Sequence, residues 1–528
     1  MKTHLLLLLP VILPSLLHAA EPALPAASQR AAMVEKLASE IERIDGEGLI
    51  VRDRNRRLSF PQVASRLAAE AKEATTWHQL FRVFARLDAA YPNLHAHWAP
   101  AEWFEETRVR PEFSFAAEVD ESGIALFRLQ NSAHTPMESS PRAGDLVVAV
   151  NGRPMQEWSA ENLEYCKFPL RSQCDQELFE NFRRELLSWN RMQPLTYTLE
   201  RDGTRFDVAV AVNSSQKGPR EEPRCDKDAT LYAGYTLAHK GRFACFFTKN
   251  GDPSTVIFRI SSYQYARSTV KDPIDSVQAE VDALWPWWKA HAPGVQHMIL
   301  DLASNNGGNE PMPYYEVLFD RPYQEQWASY RKIPELLNDP LRKNTLFWGT
   351  PQQEVWFQNI RRDGTWDRTA WGEFLPPVPM FCAGDEKSDC REGLFPVRDH
   401  GFKGRVTMLL NRWCVSSCDG FAFAMKEQLG SRVTVVGQPQ AADTAYSRAT
   451  IQVLLDPAVP GGFRTLIDHL RRGESTDAIL TQSVSVTRSM RQDGTVESGV
   501  PLALDRFIDW PFYLGEREWR AYAVKKLQ

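Results

Sequence analysis

Met298-Ile299-Leu300-Asp301-Leu302-Ala303-Ser304-Asn305-Asn306-Gly307-Gly308-Asn309 decides the architecture. It opens as a buried-type strand, residues 297–302, and then meets two glycines. Glycines permit backbone turns that aim N–H groups at a common centre. A second stretch has the same form: Leu410-Asn411-Arg412-Trp413-Cys414-Val415-Ser416-Ser417-Cys418-Asp419-Gly420. Here a strand at 405–410 ends, two serines follow, and a helix reads over 421–429, closed by Gly430. A third strand, 433–436, runs into Gly437. Strand, helix, strand predicts α/β layering. A serine between a strand and a helix N-terminus is well placed as a nucleophile, because the helix dipole and free N–H groups stabilise developing negative charge. Taken singly, each stretch also has a plain reading: Asn-Gly-Gly as a turn and Ser-Ser as a helix cap.

Outward from these strands, residues 310–400 carry much of the chain's Trp, Pro and mixed charge. They read as a long insertion between two core strands of a unit spanning 216–528. Upstream, residues 111–215 change character. Short β-like runs at 123–129 and 145–150 lead into Val150-Asn151-Gly152-Arg153, a strand–turn pattern. Runs at 195–199 and 206–212 flank Arg201-Asp202-Gly203 and predict a hairpin. Between them, 157–193 reads as a helical, cysteine-bearing insert. Before all of this, residues 28–110 read as a helical unit. Met33, Leu37, Ile41 and Ile44 share one face of a helix. Ser59 with Pro61 starts a second helix, and a third begins near Thr76. Asn93-Leu94-His95-Ala96-His97-Trp98 follows as a loop entering an extended segment.

The chain has 528 residues, enough for about three domains at roughly 150 residues each. A net charge of −5 argues against a nucleic-acid partner, which calls for a strong basic excess. Charged residues at 24% and frequent aromatics exclude a disordered or collagen-like chain. Residues 1–20 form a basic start, an apolar run from Leu5 to Leu17 and a small-residue close at Ala19-Ala20. This is the pattern of a secretory signal, and the run is short of the about 20 residues that span a bilayer. The chain is therefore expected to be exported to a periplasm or beyond, with no stable membrane anchor. In an oxidising compartment its eight cysteines tend to pair. They fall at Cys166 and Cys174, Cys225 and Cys245, Cys382 and Cys390, Cys414 and Cys418, so nearest-neighbour pairing is the simplest expectation, although eight cysteines allow about 105 connectivities. No spacing of a zinc module is present, so neither metal nor cofactor is expected.

Two resemblances follow from these motifs. Gly144-Asp145, an apolar strand, Asn151-Gly152 and the Arg-Asp-Gly hairpin together resemble a PDZ domain, which implies capture of an extended peptide by strand addition. Strand–Asp301-Leu302-x-x-Asn305-x-Gly307-Gly308, then strand–Ser416–helix–strand–Gly437, resembles the S41 serine peptidases: the tail-specific or C-terminal processing proteases, with tricorn as a relative. Asp88 and Asn93-Leu94-His95 are similar to that family's loop before the PDZ domain. Asp493-Gly494-Thr495-Val496-Glu497-Ser498-Gly499-Val500-Pro501 is similar to its late Glu-x-x-Gly-Val-x-Pro stretch. The likeness covers roughly residues 75–510 and implies a ClpP/crotonase-like catalytic core with a PDZ-like β-rich domain and an N-terminal helical unit.

The family's nucleophile has an acidic residue three positions on, which matches Ser416 with Asp419. The Ser417 N–H, with that of Gly307 or Gly308, would form the oxyanion hole. Gly437-Gln438-Pro439-Gln440-Ala441-Ala442-Asp443-Thr444 contains no lysine where the tail-specific enzymes place theirs, and Arg448 cannot deprotonate to replace it. The tricorn-like branch implies instead a histidine, His95 with His97 as the alternative, oriented by Glu497. Histidine is a suitable base at neutral pH, and a carboxylate would hold its tautomer. Gln440, near the lost lysine position, is a candidate polar contact. A Cys414–Cys418 bridge would bracket Ser416 and fix its position. The expected function is an exported serine endopeptidase acting on peptides or unfolded tails through an acyl-enzyme on Ser416. The alternative is a non-catalytic protein on the same scaffold, binding peptides or apolar ligands, with some of the 16 tryptophans lining its site. An esterase is a weaker reading, since no Gly-x-Ser-x-Gly elbow is present.

Overall fold

The computed structural model describes residues 21–46, 49, 58–101, 104, 109–132, 140–181, 195–214, 224–225, 230–264, 276–323, 326–346, 351–380, 394–443, 448–468, 478–491, 494–496 and 499–527. Three amphipathic helices come first. α1 (Ala27–Ile44) buries Met33, Leu37, Ile41 and Ile44, the face that their spacing marks. α2 (Phe60–Glu73) follows Ser59 and has Pro61 in its first turn, where a missing N–H is no loss. α3 (Trp77–Ala89) is capped by the Thr76 hydroxyl, which accepts from the Gln79 N–H at 3.2 Å. Beyond them lies β1 (Trp98–Pro100), an edge strand, where a proline is tolerated.

A β-rich module follows, with strands β2 (Phe115–Val119), β3 (Ala125–Leu129), β4 (Leu146–Val150), β5 (Leu195–Arg201) and β6 (Thr204–Val210). They pair in that order, each antiparallel to the next. Asn151 and Gly152 turn the chain after β4 with φ of 50° and 74°, the left-handed pair that a two-residue hairpin turn requires. Two helices, α4 (Met155–Asn162) and α5 (Arg171–Asn181), fill the connection to β5. Phe115, Phe127, Val147, Trp158, Phe179 and Tyr197 form the module's own core.

The largest sheet has seven strands. Its strands are β7 (Tyr235–Lys240), β8 (Ala244–Lys249), β9 (Asp252–Ile260), β10 (His297–Asp301), β12 (Arg405–Leu410), β13 (Val433–Gly437) and β18 (Arg506–Phe507). They stand in that order, antiparallel up to β9 and parallel from β9 onward. Parallel strands covered on both faces read as unbroken apolar runs, and Met298, Ile299 and Leu300 are all buried. α6 (Val277–His291) precedes β10, and α7 (Ser417–Leu429) joins β12 to β13. A last helix, α8 (Glu516–Leu527), ends the chain. It is tied to the end of β10 by Arg520, which bonds Asp301 and donates to the Ala303 carbonyl at 2.9 Å.

The N-terminal helices do not close on themselves. Their core continues into Tyr330, Trp356 and Phe357 of the 310–400 stretch and into Ile451, Val453 and Leu480. Those last residues belong to a four-stranded sheet of β1, β14 (Arg448–Leu455), β15 (Phe463–Asp468) and β16 (Ala478–Ser485), ordered β1-β16-β14-β15. The 310–400 stretch likewise contributes β11 (Trp327–Tyr330), which pairs with β17 (Thr487–Met490). Three bridges join near neighbours in the chain: Cys166–Cys174, Cys225–Cys245 and Cys414–Cys418. Cys382 and Cys390 lie outside the described residues. Among the described residues, no helix is long and apolar enough to cross a membrane.

Candidate active site

In an open α/β sheet, ligands collect beyond the carboxyl ends of the parallel strands. β10, β12 and β13 end level with one another, with Asp301 opposite Leu409 and Leu410 opposite Gly437. Three loops therefore leave the sheet side by side: 302–309, 411–416 and 438–443.

The middle loop delivers Ser416. α7 begins at Ser417, four residues earlier than the apolar pattern predicts, so Ser416 is the cap residue itself. Its φ of 64° and ψ of −126° are strained for a residue with a side chain. Nucleophile elbows share this strained strand-to-helix turn, here without their usual glycines. Two devices hold it. The Ser416 N–H donates to Asp419 Oδ2 at 3.1 Å, and Cys414–Cys418 closes the turn around it with Cα atoms 5.1 Å apart.

The first loop packs against the serine. A Cβ on Gly307 would lie 2.8 Å from Ser416 Cβ and 2.4 Å from the Val415 carbonyl, so only glycine fits. Gly307 and Gly308 have φ of 71° and 138°. The Gly307 N–H is given to Asn305 Oδ1 at 2.9 Å, and the Asn305 amide in turn donates to the Ile260 carbonyl at 3.0 Å. Of the two expected oxyanion donors, Gly307 has its N–H already engaged, which leaves Gly308 as the candidate. Ser417 is beside it: its hydroxyl donates to the Gly308 carbonyl at 3.2 Å. Two residues further on, Glu310 is half-buried, and loss of solvent pushes its carboxyl up to about 8.

The third loop carries a residue that sequence reasoning passed over. Asp443 is buried, and its Oδ1 stands 3.2 Å from His95 Nδ1, close enough for an ion pair though not aligned as a hydrogen bond. Its Oδ2 accepts the His95 N–H at 3.1 Å. Asp443 is the sole carboxylate between Gly437 and Thr444. Asn93 orders the same loop, its Oδ1 accepting from the N–H groups of His95 and Ala96. His95 is mostly enclosed, whereas His97 is exposed and its carbonyl accepts from Ser483 of β16. Glu497 lies outside the described residues. Gly499, two positions on, donates to the Ala442 carbonyl at 2.7 Å. Gln440 is buried and accepts from the Leu502 N–H at 3.2 Å.

Asp419 joins serine to acid. One oxygen, Oδ2, accepts from both the Ser416 and Asp443 N–H groups at 3.1 Å, so those two nitrogens are at most twice that distance apart. Its other oxygen accepts from Ala442 at 2.9 Å. Burial pushes the Asp419 carboxyl well above the usual carboxylate range, Asp443 adds to that shift, and three N–H donors pull against it. The result is a serine on a strained turn and, across Asp419, an aspartate paired with a histidine. With Nδ1 turned to Asp443, Nε2 is left on the opposite side of the ring.

No family model matches the sequence, and no curated protein matches it. Solved structures do. Mature CPAF complexed with lactacystin aligns with a TM-score of 0.61 at 14% identity, over 95% of this chain and 98% of that chain. A crystal structure of mature CPAF gives 0.60 at 13% identity, over 94% and 95%. A serine-to-alanine mutant of CPAF gives 0.63 at 13% identity, over 95% and 96%. At these identities the likeness is one of fold, and it bears out the expected α/β core with attached β-rich and helical parts.

Proposed function

We propose that this chain, on a fold similar to that of CPAF, is an exported serine endopeptidase of the S41 type, with Ser416, His95 and Asp443 as its working triad. The observation that supports it most is the pairing of His95 with Asp443, joined through Asp419 to the backbone of Ser416. Ser416 Oγ attacks the scissile carbonyl carbon and its proton passes to His95. The oxyanion is received by the N–H groups of Gly308 and Ser417. The carbon–nitrogen bond then breaks, the amine takes the proton from His95, and water releases the acyl group by the same steps reversed. Asp443 holds the imidazole and stabilises its charged form. Glu497 remains a proposed second carboxylate for that histidine. The β-rich module, read as PDZ-like, supplies the peptide or unfolded tail. The signal-like first 20 residues and the three bridges suit export. The chemistry drawn calls on no metal or cofactor.

The test is hydrolysis of an unfolded polypeptide by the full chain. Wild type should cleave it, and Ser416→Ala should lose about 10⁴-fold or more of that rate. Cleavage that persists in Ser416→Ala would refute the nucleophile.

A further inference from the structure

We infer that the insert of the β-rich module, residues 163–181, holds the loops bearing His95, Asp443 and Ser416 in register, with Lys167, Gln173, Gln176 and Glu177 as positioning residues. This rests on the triad proposed above.

Each of these three loops receives its own contact from the insert. Lys167 Nζ donates to the Ala96 carbonyl at 2.6 Å, one residue beyond His95, and pairs with Asp88 at 2.5 Å. Asp88 is buried and also accepts from Gln482 Nε2 of β16 at 2.8 Å. The histidine loop is thereby pinned between the insert and the four-stranded sheet. Gln173 Nε2 donates to the Gln440 carbonyl at 2.6 Å, and Gln176 Nε2 to Gln438 Oε1 at 2.6 Å. Both bonds fall on the loop that ends in Asp443. The Gln176 carbonyl accepts from Arg412 Nη2 at 3.0 Å, and Glu177 Oε1 accepts from Arg412 Nε at 3.0 Å and Trp413 Nε1 at 3.1 Å. These hold the loop that leads to Ser416.

The geometry of α5 makes this possible. Positions 173, 176 and 177 are three and four residues apart, so they share one helical face. Gln173, Gln176 and Arg412 are buried, so their polar atoms gain little from solvent if a contact opens. The Arg412 guanidinium also lies over the Trp413 ring, 3.6 Å from its centre. The Cys166–Cys174 bridge closes the segment that carries Lys167 and Gln173, which fixes the spacing between the histidine and acid contacts. Beside these bonds, a cleft of about 300 Å³ opens between the β2–β3 turn and β18, so α5 carries the joint there. None of the four residues need touch substrate. Each acts through a loop, and small misplacements of reacting groups are costly in rate.

The experiment compares wild type with Lys167→Met, Lys167→Arg and Glu177→Gln. One readout is the rate of fluorophosphonate labelling, which depends on the serine and its base and bypasses peptide docking. A second is the urea midpoint. A third is the NMR resonance of the His95 ring Nδ1–H, which reports the Asp443 contact whether or not the chain is an enzyme. Lys167→Met and Glu177→Gln each lose one partner of a largely buried ion pair, so their urea midpoints should fall, but under conditions where both remain fully folded they should slow labelling by about tenfold or more. Lys167→Arg should recover most of the rate. The ring resonance should shift in Lys167→Met. Labelling at the wild-type rate in both loss variants would overturn the inference. If wild type itself does not label, the peptidase reading fails, and the resonance then decides: unchanged in Lys167→Met, it overturns the inference as well.

Discussion

Ser416 carries a backbone conformation that costs on the order of 1–3 kcal/mol at a residue with a side chain. Asp419 helps to hold it, and the same carboxyl holds Asp443. The residue scale therefore makes a sharp prediction about which acid serves His95. Asp443→Asn should lower kcat by about 10²–10⁴-fold, because an amide no longer orients the neutral imidazole or stabilises its charged form. Steady-state kinetics alongside Glu497→Gln check it: a larger loss in Glu497→Gln would move the role back to the late glutamate. Ser416 was legible in the sequence because a serine between a strand and a helix is a local pattern, and the acid three positions on matches the spacing of the family it resembles. His95 was legible through its similarity to a family loop. Asp443 was not, since nothing local joins it to a histidine 348 positions away. In the sequence it is only the lone carboxylate between Gly437 and Thr444.

At the scale of elements, the strands and helices around the site follow from apolar spacing, and what escaped was chiefly their ends. α7 starts at Ser417 because Asp419 and the Cys414–Cys418 bridge nucleate its first turn, whereas the apolar pattern begins only at Phe421. A second polar anchor was hidden on α6. Glu280 is wholly buried, and its Oε1 accepts the N–H groups of Phe243 and Ala244, both at 2.9 Å, where β8 begins. Burial pushes its carboxyl up to about 7 from an ordinary value near 4.5. Between those values the folded chain holds a proton that the unfolded chain has released. Stability should therefore fall as pH rises from about 4.5 to 7, by on the order of 1.4 kcal/mol per unit at most, and level off above. Glu280→Gln keeps an oxygen for the two N–H groups and removes the titration. Urea midpoints measured across that range should be flatter in the variant, and an equal slope in both proteins would contradict this account.

At the scale of the molecule, the site is assembled from distant parts of the chain. β1 brings the His95 loop to the four-stranded sheet by pairing with β16. The 302–309 and 411–416 loops come from the parallel sheet, and the insert of the β-rich module bonds to the loop leading to Ser416, to the loop ending in Asp443 and to the one bearing His95. Sequence periodicity showed that α1–α3 have an apolar face. It could not show that residues near 330–360 and 450–480 cover it, because periodicity marks a buried face without naming what lies against it. The overall α/β layering was legible for the opposite reason: each strand–loop–helix unit around β10 and β12 is contiguous in sequence. The central claim is that Ser416 is a nucleophile activated by His95. Fluorophosphonate treatment of the full chain, followed by mass mapping of the modified peptide, tests it most directly. The account predicts a single adduct on Ser416 in wild type, none in Ser416→Ala, and strongly slowed labelling in His95→Ala. An unlabelled wild type, or an adduct on Ser417 or any other residue, would contradict it.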